Sequence, residues 1–550
     1  MHYVIVIGNH WIILPSRSVI PLQPSPRTNG GFLHRALGGV DELFDRLYSS
    51  RLNPLYQSGP LAVALFLVLL VTGLYLLLFY RIGAPYASVT RLHEQVWVGR
   101  WVRSLHRFAS DGMVVAVAVH GLRMFLRRRS WGPRALAWLS GLVLTGVVFV
   151  IGWTGFVMVW DAQGQLLAEE GARILDALPI FSEPVARTFI GERAMPGAFF
   201  FLNYFLHIAL PLGIGLLLYI HVSRLARPRL LPPRGLGWGV TLALFAVSVL
   251  WPAPLASPAD PGVLPGSPPI DLFFGFWLPV TRTLPGWAVW LGILALVGVA
   301  VTAPLWTRPR EGRRPAASQV DPRLCTGCEQ CPKDCPYEAI TMVARDDDRP
   351  TLVASVDPAL CVSCGICAGS CAPMGVGPPG RAGRDQIAAV RSFLADAPPS
   401  GDDVVLIACG HGAGGAGLVP RFEGASVLSV DCIGNLHSSV VEFLVRGGAG
   451  GVLVAGCPGR DCWNREGPRW TRARLFDGRE AELQDRVDRR RVRMVQSGLG
   501  GRSAVERALR ELRAEIRALE AREAEAHIEL SAECLVGSSL AAGEPEGAGS

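Results

Sequence analysis

At 550 residues the chain is long enough for several domains. Only 18% of it is charged, half is hydrophobic and the mean hydropathy is +0.31, which excludes an ordinary soluble enzyme. The net charge of +7 sits mostly on arginines beside apolar runs, a pattern of membrane-face anchoring rather than nucleic-acid binding.

The first 35 residues read as irregular. Their apolar run VIVIGNHWIIL is too short to span a bilayer and lacks the basic leader and small-residue cleavage site of a signal peptide. Residues 37–52 suit an amphipathic helix on a membrane surface, closing an N-terminal segment 1–52. About six spans follow within a domain of residues 53–307: 60–80, 101–125, 137–160, 199–222, a shorter 237–251, and 287–306. Arginines crowd the loops after the second, fourth and sixth, as in Arg127, Arg128 and Arg129, Arg224 and Arg227, Arg308 and Arg310. The loop after the third is acidic instead, with Asp161, Glu169, Glu170 and Asp176. The positive-inside rule then puts both termini in the cytoplasm.

The second span carries His106 and His120, the fourth His207 and His221. Each pair is fourteen residues apart, almost four helical turns, so both imidazoles project from one face at depths about 21 Å apart. Two such helices running the same way stack two bis-histidine sites, His106 with His207 toward the outside and His120 with His221 toward the cytoplasm. A single histidine in an apolar helix is commonly pore-facing or hydrogen-bonded. Four in matched pairs are costly to bury unpaired and point to haem iron. Arg103, Arg107 and Arg123 flank these positions and either pair with haem propionates or snorkel to the interface.

The stretches RSLHRFASDGMVVAVAVHGLRMF, PRALAWLSGLVLTGVVFVIGWTGFVMVWD and HIALPLGIGLLLYIH together resemble cytochrome b of the quinol-oxidising bc and b–f complexes, over residues 40–235. The resemblance implies a four-helix core, two b-type haems and quinone sites at both membrane faces. Two features depart from it. The family's Pro-Trp turn after the third helix is Val159-Trp160 here. Its Pro-Glu/Asp-Trp-Tyr quinol loop has only a loose echo in PPIDLFFGFWLP, residues 268–279.

A basic, proline-containing linker, 308–318, leads to a region where the chemistry changes. All thirteen cysteines follow residue 320, at the close spacing of metal ligands rather than a disulfide framework. Within residues 319–385, Cys325, Cys328, Cys331 and Cys335 form C-x2-C-x2-C-x3-C-P, and Cys361, Cys364, Cys367 and Cys371 repeat the spacing. This is the two-cluster bacterial ferredoxin pattern, an α+β domain with two [4Fe–4S] clusters, in which Cys371 completes the first quartet and Cys335 the second. Zinc favours paired C-x2-C arms, and the interleaved quartets weigh against it.

In a domain of residues 400–520, VVLIAC, SVLSVDC, GVLVAGC and VRMVQSG are short apolar runs alternating with helical stretches at 438–446 and 502–519. The alternation predicts a small α/β domain with a parallel sheet. Cys409, Cys432 and Cys457 fall at strand carboxyl ends, where such sheets place their sites, and Cys462 follows. Buried strand cysteines are common, but three placed alike, with a fourth close by, suit one more iron–sulfur cluster. GVLVAGCPGRDC and Asp431-Cys432 resemble the delta subunit of methyl-viologen-reducing hydrogenase, also found fused to the flavoprotein of heterodisulfide reductase. That resemblance implies a [2Fe–2S] cluster and electron relay between a hydrogenase or dehydrogenase and a flavoprotein. Further cysteines of that family are missing around Cys409-Gly410-His411, which leaves His411 as an alternative ligand. The Ala/Glu/Gly-rich tail, 521–550, reads as disordered.

No dinucleotide fingerprint or nucleophile constellation occurs, so no catalytic residue is assigned. The chain reads as multi-domain: an all-α transmembrane haem-binding bundle, an α+β ferredoxin domain, then a small α/β domain. The expected role is an electron-transfer subunit of a quinone-linked oxidoreductase complex in the cell inner membrane, with its iron–sulfur domains on the cytoplasmic side. Its partners would be a flavoprotein of the heterodisulfide reductase type or hydrogenase subunits, and the quinone pool. The competing reading is an anchor that recruits such a complex, its haems mainly structural.

Overall fold

The computed structural model describes residues 32–180, 183–189, 195–262, 271–309, 315–401, 403–412, 422 and 425–541, with short strands at 3–7, 10–14 and 20–21. The chain divides into two compact units, Leu47–Arg314 and a second made of Met1–Arg46 with Pro315–Ser550.

The first unit is a helical bundle. Among the described residues five helices are long and apolar enough to cross a membrane: α1 (Ser58–Phe79), α2 (Gly99–Leu126), α3 (Ala135–Val159, with a 3-10 turn before it), α4 (Gly197–Val222) and, last of the five, Gly286–Trp306. The fifth expected span is the shorter α5 (Arg234–Leu250), so Gly286–Trp306 is α6. Leu61 and Leu65 of α1, Ala109, Met113 and Ala116 of α2, Val148 of α3 and Ile214 of α4 form the bundle core. Outward faces stay apolar, as a helix bathed in lipid requires: Val71, Leu74, Leu212, Leu216 and Leu296 are all exposed.

A second apolar cluster closes one end of the bundle. There α3 stops at Trp160, which adopts the left-handed conformation (φ 55°), and Asp161 Oδ1 caps the next helix, Ala162–Leu175, by accepting from Gly164 N at 2.9 Å. Trp160, Leu166, Leu167, Phe189, Phe200 and Leu278 pack together at this end. Pro211 lies inside α4; lacking an N–H, it leaves the carbonyl four residues back, that of His207, without its helical donor.

In the second unit, the ferredoxin region is built on two short antiparallel ladders, Gln319–Val320 with Val376–Gly377 and Ile340–Val343 with Val353–Val356. Each cysteine loop runs into a short helix, Gln330–Asp334 or Ile366–Gly369. Helix α7 (Gly383–Asp396) then leads to a parallel sheet of β1 (Val404–Cys409), β2 (Ala425–Val430), β3 (Gly451–Gly456) and β4 (Val492–Gln496), in the order β4-β3-β1-β2, with the short strand Ile20–Pro21 added in parallel beside β2. Every residue of β1 and β3 is buried, as expected for central parallel strands covered on both faces. One face meets α7 and α8 (Ser438–Arg446); α9 (Gly467–Phe476) lies near its carboxyl end. Val505, Leu509, Leu512 and Ile516 of α10 (Arg502–Ala541) cover the other.

Three expectations change. The tail expected to be disordered from 521 continues α10 to Ala541, because its Ala, Glu and Arg content, low in apolar residues, is high in helix propensity; residues 542–550 lie outside the described residues. The segment read as irregular forms a hairpin, Tyr3–Ile7 with His10–Leu14, whose β-branched residues pair across it. The surface helix expected at 37–52 starts earlier, as Phe32–Leu52, and its Glu42 accepts a hydrogen bond from Ser503 at 3.3 Å.

Candidate metal centres

Four histidines of the bundle, two on α2 and two on α4, face each other in two pairs. Ring centroids of His106 and His207 are 6.3 Å apart, as are those of His120 and His221. Two metal–imidazole bonds of about 2.0 Å, with a ring radius on each side, span about 6 Å. The pairing is first with first, as the common direction of α2 and α4 requires.

Each ring lies on a glycine of a neighbouring helix. A β-carbon placed on Gly59 or Gly73 of α1 would meet His120 Cε1 at 3.0 Å or His106 Cε1 at 3.3 Å. On Gly141 or Gly155 of α3 it would meet His221 Cε1 at 3.1 Å or His207 Cε1 at 2.8 Å. Each glycine follows a hydroxyl residue: Ser58, Thr72, Ser140 and Thr154. Thr72 Oγ1 donates to Val68 O at 2.7 Å and therefore accepts from His106 Nδ1 at 2.9 Å. Ser140 Oγ donates to Leu136 O at 2.8 Å and accepts from His221 Nδ1 at 3.1 Å. His207 Nδ1 donates to Ile151 O at 2.9 Å, with Thr154 Oγ1 at 3.3 Å. These partners assign the proton to Nδ1 in three rings, which makes unprotonated Nε2 the nitrogen able to bind a metal. The ring spacing, the glycine cradles and this tautomer fit haem, which the paired imidazoles would hold.

The sequence holds a signal for these cradles. Ser58-Gly59 and Thr72-Gly73 are fourteen residues apart, as are Ser140-Gly141 and Thr154-Gly155. They repeat the histidine period on the facing helices, and reading the histidines alone misses them.

The flanking arginines have protein partners. Arg103 donates to Ala253 O at 2.8 Å and Pro254 O at 2.9 Å. Arg107 pairs with Asp111 and Asp271 and lies 4.2 Å over the Phe156 ring. Arg123 is buried, its guanidinium 5.0 Å from the Tyr56 ring centroid.

In the ferredoxin region Cys325, Cys328, Cys331 and Cys371 line one small cavity, walled by Val320, Met342, Ala354 and Pro373. Cys335, Cys364 and Cys367 are buried and Cys361 is partly buried. Backbone N–H groups point at the sulfurs: Ala339 N to Cys335 at 3.4 Å, Ser363 N to Cys361 at 3.4 Å, Gly375 N to Cys371 at 3.2 Å. Such donors favour the thiolate and tune cluster potential. Among the described residues no three His, Cys, Asp or Glu groups draw together tightly enough for a single ion. The interleaved quartets and N–H donors fit two cubes.

Cys409, Cys432, Cys457 and Cys462 are all buried at the carboxyl edge of the parallel sheet. Cys409 and Cys457 sulfurs are 3.6 Å apart, and Cys462 interacts with both Cys432 and Cys457. A hydrogen bond from Cys462 holds the Cys432 thiol below its usual range despite burial. His411 stacks on Trp463 with ring centroids 4.6 Å apart, and its Nε2 lies 3.5 Å from Asp431 Oδ1. Burial pushes Asp431 up, but His411 and Arg381 outweigh it and hold the carboxyl at about 2.

A membrane bundle with paired imidazoles, followed by thiol quartets, defines an integral membrane redox protein. Comparison with known families gives the same order along the chain. Residues 43–228 match the family model for cytochrome b/b6/petB, residues 324–375 that for the 4Fe-4S dicluster domain, and residues 420–520 that for the methyl-viologen-reducing hydrogenase delta subunit. The first match implies haem, the second [4Fe–4S] clusters, and together the three point to electron transfer within a membrane-associated oxidoreductase complex.

Proposed function

We propose that this chain is a membrane-bound electron-transfer subunit linking a cytoplasmic iron–sulfur or flavin partner to the quinone pool of the cell inner membrane. The observation that carries the reading is the presence in one chain of two facing imidazole pairs and three thiol quartets. His106 with His207 and His120 with His221 would hold two b haems. Cys325, Cys328, Cys331 and Cys371 would hold one cube; Cys335, Cys361, Cys364 and Cys367 a second; Cys409, Cys432, Cys457 and Cys462 a [2Fe–2S] cluster. When bound, these groups supply one-electron carriers. The protein orients three of the four imidazoles through Nδ1, excludes water with an apolar bundle, and sets N–H donors on the thiolates.

The partner side rests on the hydrogenase delta-subunit match, and favours a flavoprotein of the heterodisulfide reductase type or hydrogenase subunits. The linker of about ten residues reaches at most ~35 Å extended, which favours short transfer to the cytoplasmic-side haem of His120 and His221. The test is anaerobic reduction of the whole protein by a low-potential donor, followed by the haem α-band. The haems should become reduced and then be reoxidised by added quinone. A truncation ending near Trp306 should keep haem reduction by quinol and lose that by the soluble donor. Absence of exchange between haems and clusters in either direction would replace this reading with a docking module.

A further inference from the structure

Two cysteine-bearing loops of the second unit meet through nearly bare backbone. Residues 363–369 carry Cys364 and Cys367; residues 432–435 carry Cys432 just past β2. A β-carbon on Gly365, itself at φ 75°, would fall 2.4 Å from Asn435 Cγ, and one on Gly369 would fall 2.7 Å from Gly434 O. On Gly434 it would meet Ile366 Cγ1 at 2.8 Å and Cys432 Sγ at 3.4 Å. On Gly467 it would meet Cys432 Sγ at 2.9 Å and Cys462 Sγ at 3.5 Å. Only glycine permits backbones this close.

Buried polar groups lock the same seam. Arg381 donates to Ser363 O at 2.8 Å and pairs with Asp431 Oδ2 at 2.6 Å, so one guanidinium ties the residue before Cys364 to the residue before Cys432. Arg474 is fully buried and donates to Ser370 Oγ at 2.9 Å and Gly434 O at 2.8 Å. Gln386 Nε2 donates to Asn435 O at 2.8 Å.

The two ferredoxin quartets are not equivalent at this seam. Cys364 clusters with Ile366, which is fully buried, and with Trp470 of α9. The quartet completed by Cys371 surrounds a cavity walled entirely by ferredoxin residues. Among the described residues, its contacts to the other module include the Cys371 carbonyl, which accepts from His437 Nε2 at 3.2 Å, and Gln330 beside Cys331, which accepts from Arg479 at 2.8 Å.

We infer that the Cys335, Cys361, Cys364 and Cys367 quartet is the one that exchanges electrons with the Cys409, Cys432, Cys457 and Cys462 quartet, across the Ile366–Gly434 contact. The Cys325, Cys328, Cys331 and Cys371 quartet is then the far end of the soluble relay. The inference rests on the cluster assignment proposed above and adds to it an order. Electron transfer through protein falls steeply with distance, and glycines at the points of closest approach keep the two quartets close. One electron crosses at a time: one quartet's cluster is oxidised by one electron as the other's is reduced, and no bond or proton changes place.

The test is electron paramagnetic resonance on the full-length protein, reduced stepwise and anaerobically with dithionite, with iron and sulfide assayed in parallel. The signal of the third quartet should be split by a neighbouring paramagnet, and the splitting should grow as the second cube is reduced. Cys361→Ala should collapse the splitting; Cys325→Ala should leave it. The reverse pattern, or unsplit signals when all three clusters are assayed as present, overturns the order. Should Cys361→Ala fail to accumulate, the wild-type titration still decides, since splitting that follows the cube abolished by Cys325→Ala overturns the inference. Wild-type protein with no iron at the third quartet would instead overturn the cluster assignment beneath it.

Discussion

Gly155→Val tests the haem cradle at its tightest point. The first added carbon would lie 2.8 Å from His207 Cε1, 3.4 Å from Nδ1 and 3.7 Å from Nε2. Ordinary contact begins near 3.4 Å, so the ring must retreat by about 0.6 Å, before the two further methyls of valine are counted. Metal–ligand distances tolerate about ±0.2 Å. The ring is also held by the bond from Nδ1 to Ile151 O at 2.9 Å, and overpacking of this kind costs about 1–3 kcal/mol. The haem proposed at His106 and His207 should therefore be lost while that proposed at His120 and His221 remains. Gly146→Val, on the same helix with nothing within 4 Å of its added carbon, is the control. The assay is a redox titration of the α-band in membranes, with haem-to-protein ratio. Two unchanged components in Gly155→Val, or equal damage in Gly146→Val, would refute the reasoning.

Thr72→Val removes the acceptor of His106 Nδ1 without changing shape, and should weaken retention of the haem proposed there by about 10–100-fold, read as haem lost during purification; full retention with an unmoved midpoint would show that the hydroxyl orients nothing. Cys371→Ser should damage the cluster of Cys325, Cys328 and Cys331 rather than that of its own motif neighbours, seen by iron analysis and electron paramagnetic resonance; loss of the other cube's signal would contradict the interleaving. Arg479→Ala strips an ion-pair partner from Asp334, whose side chain is fully buried. Breaking such a pair costs about 3–5 kcal/mol, which should lower the melting temperature of this unit by about 6–12 °C. An unchanged transition would mean that Ser370, which donates to Asp334 at 2.6 Å, suffices.

Much of this organisation is written in spacing. The fourteen-residue histidine interval and the C-x2-C-x2-C-x3-C interval survive translation into three dimensions because local helix and loop geometry sets them. The β1 and β3 runs were readable for a similar reason: an unbroken apolar stretch is what a strand covered on both faces needs. What the sequence conceals is contact made by absence. Gly73 and Gly155 look like the small residues common in membrane helices, and nothing local says that an imidazole lies on them. Gly434 and Gly467 look like loop glycines until the facing module is known. Arg474 reads as a surface charge on a short helix, yet it is fully buried, because its partners come from residues 38 to 104 positions away. The helix beyond Leu519 was hidden for the opposite reason: its composition resembles that of a disordered tail, and only packing of its first turns against the sheet separates the two.

The glycine seam also bears on how such a chain is assembled from parts. A junction made of side chains can be retuned gradually, one substitution trimming a bump and the next filling the gap. A junction of bare backbone has no such slack, since a single methyl on Gly434 or Gly369 already intrudes on the opposite loop. Recombination that exchanged the sheet domain alone would have to meet the loop around Ile366 correctly at once, with Arg381 and Arg474 finding their acceptors together. The transferable module is therefore the ferredoxin region and the sheet domain as a pair, and engineers grafting this relay onto another membrane anchor should cut before Gln319, not between the cysteine motifs and the sheet.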